Sequence, residues 1–256
     1  MSNELSVVEQ ADSVVISESM ECSSLSVFEG AVLDINTQIG ITVSENCINN
    51  GILIVQSNAI SNGSLIVNGT ITNTIDYNLF LSGGATSPWH LISSPVQSQS
   101  INAFVTNTDN NIPTSENNNF GLAVFNTTSA AWNYFHNGGG FIPNVNASSA
   151  GNFENAKGYS TLRSSSGTVS FSRSVNTSDQ NIALTASEWN LIGNPYPSFV
   201  HVNTAASASD NILSNSTTAI NDNYEAIYLW NSNSISYDIV NHASSATFLS
   251  PGHGFY

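Results

Sequence analysis

The chain has 256 residues, enough for one large or two modest domains, each with its own core. Hydrophobic residues make up 40% of it but charged residues only 8%, far below the roughly 25% usual in globular domains. Eighteen acids against three cations give a net charge of −15, which excludes nucleic acid and anionic membrane as partners; no apolar run approaches the ~20 residues of a membrane helix.

Solubility therefore rests on Ser, Thr and Asn, which suit strands with polar outer faces and Asx-type turns better than surface helices. The three cations, Lys157, Arg163 and Arg173, lie in one short stretch, and no Lys or Arg occurs among the first 75 residues. The opening Met-Ser-Asn-Glu-Leu has neither the basic start nor the apolar stretch of a signal peptide. With this composition the expectation is an extracellular or outer-surface protein whose export signal has been removed.

Residues 13–75 read as short alternating strands. Ser24–Phe28, Ala31–Ile35, Gly40–Val43, Ile52–Val55 and Ser64–Val67 recur at intervals of ten or so residues, with corners such as Asn50-Gly51 and Asn68-Gly69 between them. This recurrence predicts coils of a parallel β-helix or β-roll over residues 1–75, with a meander or sandwich as the alternative.

Residues 76–256 carry an internal repeat. Trp89-His90-Leu91-Ile92-Ser93-Ser94-Pro95 returns as Trp189-Asn190-Leu191-Ile192-Gly193-Asn194-Pro195. Leu122-Ala123-Val124-Phe125-Asn126 returns as Ile227-Tyr228-Leu229-Trp230-Asn231, and Lys157-Gly158-Tyr159 as His253-Gly254-Phe255. The expected fold is therefore all-β: a short β-helix, then two antiparallel sandwich-like units at 76–186 and 187–256. Insertions near 105–120 and 203–223 are expected as surface loops, and a short helix only within 203–220. The second unit reads as truncated, since strands such as Gly167–Ser172 have no counterpart after Tyr256. That predicts an open strand edge and self-association. The missing strands would lie downstream, or the segment Glu4–Ile16 would be donated by a neighbouring copy.

The string Asn190-Leu191-Ile192-Gly193-Asn194-Pro195-Tyr196-Pro197-Ser198, its partner at Trp89–Val96, and Glu21-Cys22-Ser23-Ser24-Leu25 followed by Gly30–Leu33 resemble large surface proteins of flavobacteria and related Bacteroidetes. Those combine a short β-helical segment, this duplicated β domain and a C-terminal signal for type IX secretion. The resemblance covers residues 20–256 and implies secretion or surface attachment, not an activity. Residues up to Tyr256 carry no such sorting signal, so surface attachment is an expectation from the resemblance alone.

No catalytic constellation is expected. Lyases on β-helix scaffolds need a cationic group that residues 1–75 lack, the acids of the repeat sit singly, and no nucleophile elbow or phosphate loop is present. His90, His136, His201, His242 and His253 lack zinc spacing, so no metal ligand set is assigned. Asp109-Asn110-Asn111 and Asn221-Asp222-Asn223 could offer oxygens to calcium, although turn formation explains the same residues. Trp132 and Trp230 are the glycan-contact candidates, with Trp89 and Trp189 assigned to the core. Asp12-Ser13-Val14 matches a short bacterial O-glycosylation pattern at Ser13. Cys22 and Cys47, 25 residues apart, would stack in adjacent coils as a disulfide; two buried thiols are the alternative. The functional expectation is a structural or adhesive extracellular module binding an unidentified protein or glycan, or a carbohydrate-binding module as its rival.

Overall fold

In the computed structural model, residues 4–7, 13–84, 88–138, 144–185, 188–216, 220 and 224–256 are described. The fold is nearly all-β, with 42% strand and 7% helix. The first strands are β1 (Glu4–Val7), β2 (Ser13–Ile16), β3 (Met20–Cys22), β4 (Ser24–Val27), β5 (Val32–Ile35), β6 (Gly40–Val43), β7 (Cys47–Asn49), β8 (Ile52–Val55), β9 (Ser64–Val67), β10 (Ile71–Thr72) and β11 (Ile75–Leu81). They wind into a solenoid of about three turns. Its parallel faces are β1-β4-β7-β10, β2-β5-β8-β11 and β3-β6-β9.

The alternation in the sequence builds this solenoid directly. Leu25, Val27, Leu33, Ile35, Ile41, Val43, Leu53, Val55 and Leu65 point inward and are at most 1% exposed. Register stacks them in ladders, such as Leu33 on Leu53 and Ile41 on Leu65. Each buried aliphatic side chain contributes about 1.5–3 kcal/mol. The glycine corners are close approaches of backbone to backbone: a Cβ at Gly51 would overlap the carbonyl oxygens of Phe28 and Ala31 in the preceding coil.

The solenoid does not end at residue 75. β11 pairs in parallel with β8, and β17 (Gly167–Arg173) adds antiparallel to the free side of β11, from Ile75↔Arg173 to Leu81↔Gly167. One hydrophobic core accordingly runs from Ile16 through the solenoid and the first unit to Val175.

The first unit contains β12 (His90–Ile92), α1 (Ile101–Thr106), β13 (Asn119–Asn126), β14 (Ala131–His136), β15 (Val145–Asn146) and β16 (Tyr159–Thr161). Its sheet runs β12-β16-β13-β14-β15. Helix α1 was not expected, since a short helix was placed only within 203–220. Ser100 caps its first turn by accepting from the Ala103 N–H at 3.2 Å, and those three side chains are buried. The second unit contains β18 (Ile192–Gly193), β19 (Val200–His201), α2 (Ile212–Asn215), β20 (Ile227–Asn231), β21 (Ser236–Val240), β22 (Phe248–Leu249) and β23 (Gly254–Phe255), around a smaller core. The helix expected within 203–220 is α2.

Strand order repeats between the units. β18 pairs with β23, the backbones of Tyr256 and Tyr228 exchange hydrogen bonds of 2.7 and 3.2 Å, and β20 pairs with β21. That reproduces β12-β16-β13-β14. Part of the truncation expected for unit two is corrected: the counterpart of β17 is not missing from its sheet, because in unit one β17 belongs to the solenoid sheet; among the described residues β21 pairs only with β20, where β14 also pairs with β15. Donation of Glu4–Ile16 to a second copy is corrected likewise, since β1 and β2 pair with β4 and β5 of their own chain.

The two units also trade contacts reciprocally. The Gly158 N–H donates to Leu191 O and the Gly193 N–H to Ala156 O, each at 3.0 Å, while Ile92 bridges His253 and the Ser93 N–H donates to Gly252 O at 2.8 Å. The Gly-aromatic strand of each unit thus touches the Leu-Ile strand of the other. Residue-free space at this crossing is minimal: a Cβ at Gly193 would overlap Ser93 and lie 2.7 Å from His253 O. The Asn-Pro-Tyr-Pro string has a related role. Buried Asn194 donates to the carbonyls of Ser198, Leu249 and Ser250, and the Pro197 carbonyl accepts from the Leu65 N–H of β9 at 2.8 Å.

Candidate functional site

Each unit presents a hairpin, β13–β14 or β20–β21, with one face turned to its core through Leu122 and Phe135 or Ile227 and Val240. The opposite face carries aromatic rings at equivalent cross-strand positions: Phe125 opposite Trp132, and Trp230 opposite Tyr237. Their geometries nearly coincide, with centroids 5.3 Å apart at 65° in the first pair and 5.0 Å apart at 63° in the second. Asn126 and Asn231 fasten the following turns by accepting backbone N–H bonds from Ser129 and Ser234. Both turns end on a left-handed residue, Ala130 (φ 48) and Ile235 (φ 52).

The pairs join into one aromatic belt across both units. Phe125 meets Tyr256 at 5.3 Å; Tyr256 meets Tyr237 and Trp189, each at 6.1 Å; Trp189 meets Tyr228 at 5.0 Å and Tyr224 at 5.7 Å. On the other side the Trp230 indole N–H donates to the Trp89 carbonyl at 2.8 Å, and Trp89 packs edge-on to Tyr134 at 6.0 Å. All four tryptophans of the chain are in this belt. Its rings are mostly half-buried, but Trp189 is 47% exposed and Tyr224 56%, and Tyr237, Ile235 and Ile239 of the β20–β21 hairpin are also exposed. Burial raises the Tyr256 phenol above its ordinary pKa, helped by neighbouring Tyr237, so it stays a neutral donor.

Assignment of Trp189 to the core is therefore corrected: it lies before β18 begins, so its position two residues before Leu191 does not place it on a buried strand face. Trp89 is half-buried within the belt. Trp132 and Trp230 belong to the belt as expected, but both sit edge-on among other rings and half-buried, so Trp189 is the freer face. The signal that could have found it was the aromatic Tyr224 and Tyr228 in the following hairpin.

A cleft of about 360 Å³ opens beside the belt, between the core-facing side of β13–β14 and residues 182–185 and 190–192, with Phe125 at its border. Asn133, Glu154, Lys157 and Asn190 line it. Lys157 pairs with Glu154 at 2.7 Å, and the buried side-chain oxygen of Asn133 has no hydrogen-bond partner among the described residues. A second cleft, of about 460 Å³, lies between Gln38–Gly40, Ile60–Ser64, Phe199 and Ser250, with no ionisable side chain in its lining.

The remaining candidates resolve as follows. Cys22 and Cys47 are buried and free, correcting the expected disulfide. The coils are shorter than 25 residues here, so Cys47 stacks on Leu25 and Cys22 on Val43. Burial pushes the Cys47 thiol up to about 12, with Cys22 adding to the effect. Ser13 is exposed at the start of β2, while Asp12 lies outside the described residues. At the first oxygen-rich loop the carbonyls of Asp109 and Asn110 accept from the buried Arg163 guanidinium at 2.6 and 2.9 Å. The Asn110 amide is spent on Phe104 O and the Ser170 N–H. Asn221-Asp222-Asn223 lies outside the described residues. Of the histidines, His90 donates to Ser82 O at 2.9 Å, and burial next to His90 lowers His253 to about 4.

A family model described as a domain of unknown function, DUF8693, matches residues 1–248. The chain belongs to the DUF8693 family. No curated protein and no solved structure matches it. The DUF8693 span takes in the solenoid and both aromatic hairpins.

Proposed function

We propose that this DUF8693 protein is a non-catalytic structural or adhesive module of a bacterial secreted or cell-surface protein, exported as its resemblance to type IX cargo implies. The solenoid is a rigid stalk, and the aromatic belt is the contact surface. The observation that carries this reading is the cluster of Trp189, Tyr224 and Tyr237, exposed together with Ile235 and Ile239. Contiguous exposed apolar rings of this kind mark contact sites for other molecules, and Trp and Tyr are the residues enriched where such contacts are strongest. The surrounding Ser and Asn surface and the net charge of −15 keep the molecule soluble and favour uncharged or cationic targets over anionic ones.

The test is retention on intact cells, on extracellular matrix proteins and on a glycan array, for the parent and a Trp189→Ala/Tyr224→Ala variant. The expected result is retention on at least one of these surfaces that the variant loses by tenfold or more. Equal retention of both proteins, or release of reducing or unsaturated ends from a polysaccharide, would sink the reading.

A further inference from the structure

Resting on the adhesive reading, we propose that the cleft beside the belt is a binding subsite for an uncharged saccharide. Its volume of about 360 Å³ falls at the lower end of the roughly 300–1,000 Å³ of small-ligand sites. The chemistry of its lining is mixed in one specific way. Asn133 holds a buried oxygen that needs a donor. Lys157 has three N–H donors, of which one is engaged by Glu154. A hydroxyl both donates and accepts, so neighbouring hydroxyls of one sugar ring could satisfy the acceptor and the donors together. Neither a purely accepting nor a purely donating ligand does this.

The internal repeat supplies a control within the same molecule. The position equivalent to Asn133 in unit two is Asp238, opposite Leu229 as Asn133 is opposite Val124. There the carboxylate is exposed and accepts from Asn231 at 3.1 Å, so no buried oxygen is left unpaired. In unit one the oxygen is left for something else. Charge narrows the ligand further. The Glu154–Lys157 pair cancels inside the cleft, and the surrounding chain is strongly acidic, so uronate and sulfated glycans are repelled. The exposed Trp189 ring immediately precedes Asn190 of the cleft lining, where an apolar sugar face leaving the cleft would meet it.

Calorimetric titration of the full chain with cello-, xylo-, manno- and laminari-hexaose, and with alginate and pectate hexamers, tests this. One or more of the neutral oligomers should bind and the anionic ones should not. Asn133→Ala and Lys157→Met should each weaken that binding at least tenfold, Lys157→Arg less, and Asp238→Ala by less than twofold, with melting temperatures confirming the fold. Neutral binding that survives both cleft substitutions but is lost in Trp189→Ala overturns the cleft and leaves the belt standing. Attachment to protein surfaces with no glycan bound, or binding of anionic oligomers alone, also overturns the saccharide cleft without touching the adhesive reading.

Discussion

Gly193→Ala tests whether the two units are locked together by the reciprocal crossing. The added methyl would overlap the Cβ of Ser93 and stand 2.7 Å from the His253 carbonyl oxygen. Neither neighbour is the movable end of a side chain, so the strain cannot be relieved by a rotamer change. Overpacking costs about 1–3 kcal/mol, and fixed neighbours place this site at the upper end, about 3 kcal/mol. For a chain of this size 1 kcal/mol moves the melting temperature by roughly 2–4 °C, so a loss of about 6–12 °C is expected. Differential scanning calorimetry measures it, with Gly40→Ala as the control. A Cβ at Gly40 meets only Ser19 Oγ and Ser64 Cβ, both at 3.9 Å, and should change little. Adding Ser93→Gly to Gly193→Ala removes one of the two obstructions, together with a buried hydroxyl that has no hydrogen-bond partner among the described residues, and should recover about half of the loss. A Gly193→Ala protein melting within 1 °C of the parent, or a double variant no more stable than the single one, would refute the crossing as described.

Three further outcomes follow from the same geometry. Alkylation after unfolding without reductant should find two thiols per chain, whereas native protein should label slowly at Cys47, whose pKa is held near 12; a single mass two units lower with no labelling would restore the disulfide. His253, neutral in the fold with its pKa lowered from 6.5 to about 4, leaves stability intact above pH 6.5 and removes it as pH falls through that window, because the unfolded chain takes up the proton first. The total is roughly 3 kcal/mol, read as a loss of denaturation free energy between pH 7 and 4.5 that His253→Gln should flatten. Arg163→Met should cost about 3 kcal/mol by stranding the carbonyls of Asp109, Asn110 and Ser165, measured by urea unfolding; a change below 0.5 kcal/mol would show that the clamp contributes nothing.

The solenoid was legible because its physics is local. Alternating inward aliphatics such as Leu33-Asp34-Ile35 and glycine corners such as Gly51 fix both the strands and the stacking. The repeat was legible because the crossing demands the same residues twice, Trp-x-Leu-Ile in one strand and Gly-aromatic in the other. What escaped was partner choice over distance. Thr168-Val169-Ser170-Phe171-Ser172 has the alternation of any half-buried strand, and nothing in it specifies β11 rather than a sandwich neighbour. Disulfide reach failed by a few residues of coil length, which composition does not set. Trp189 was misplaced because side-chain periodicity tells which face a residue occupies, not whether that face is covered. The Asn133 cleft was invisible for the same reason: an unsatisfied oxygen is a property of the folded neighbourhood.

The pairing of β11 with β17 has a mechanical consequence. The chain enters β11 from the solenoid at Ile75 and leaves β17 for the second unit at Arg173, and these two residues are partners at one end of the pair. Tension between the stalk and the second unit would be shared between that end and the reciprocal crossing, with the first unit threaded between the two strands as a closed loop. Only rupture of both would open it. Everything from Ile75 to Arg173 is then hidden length, paid out under force while the chain stays unbroken.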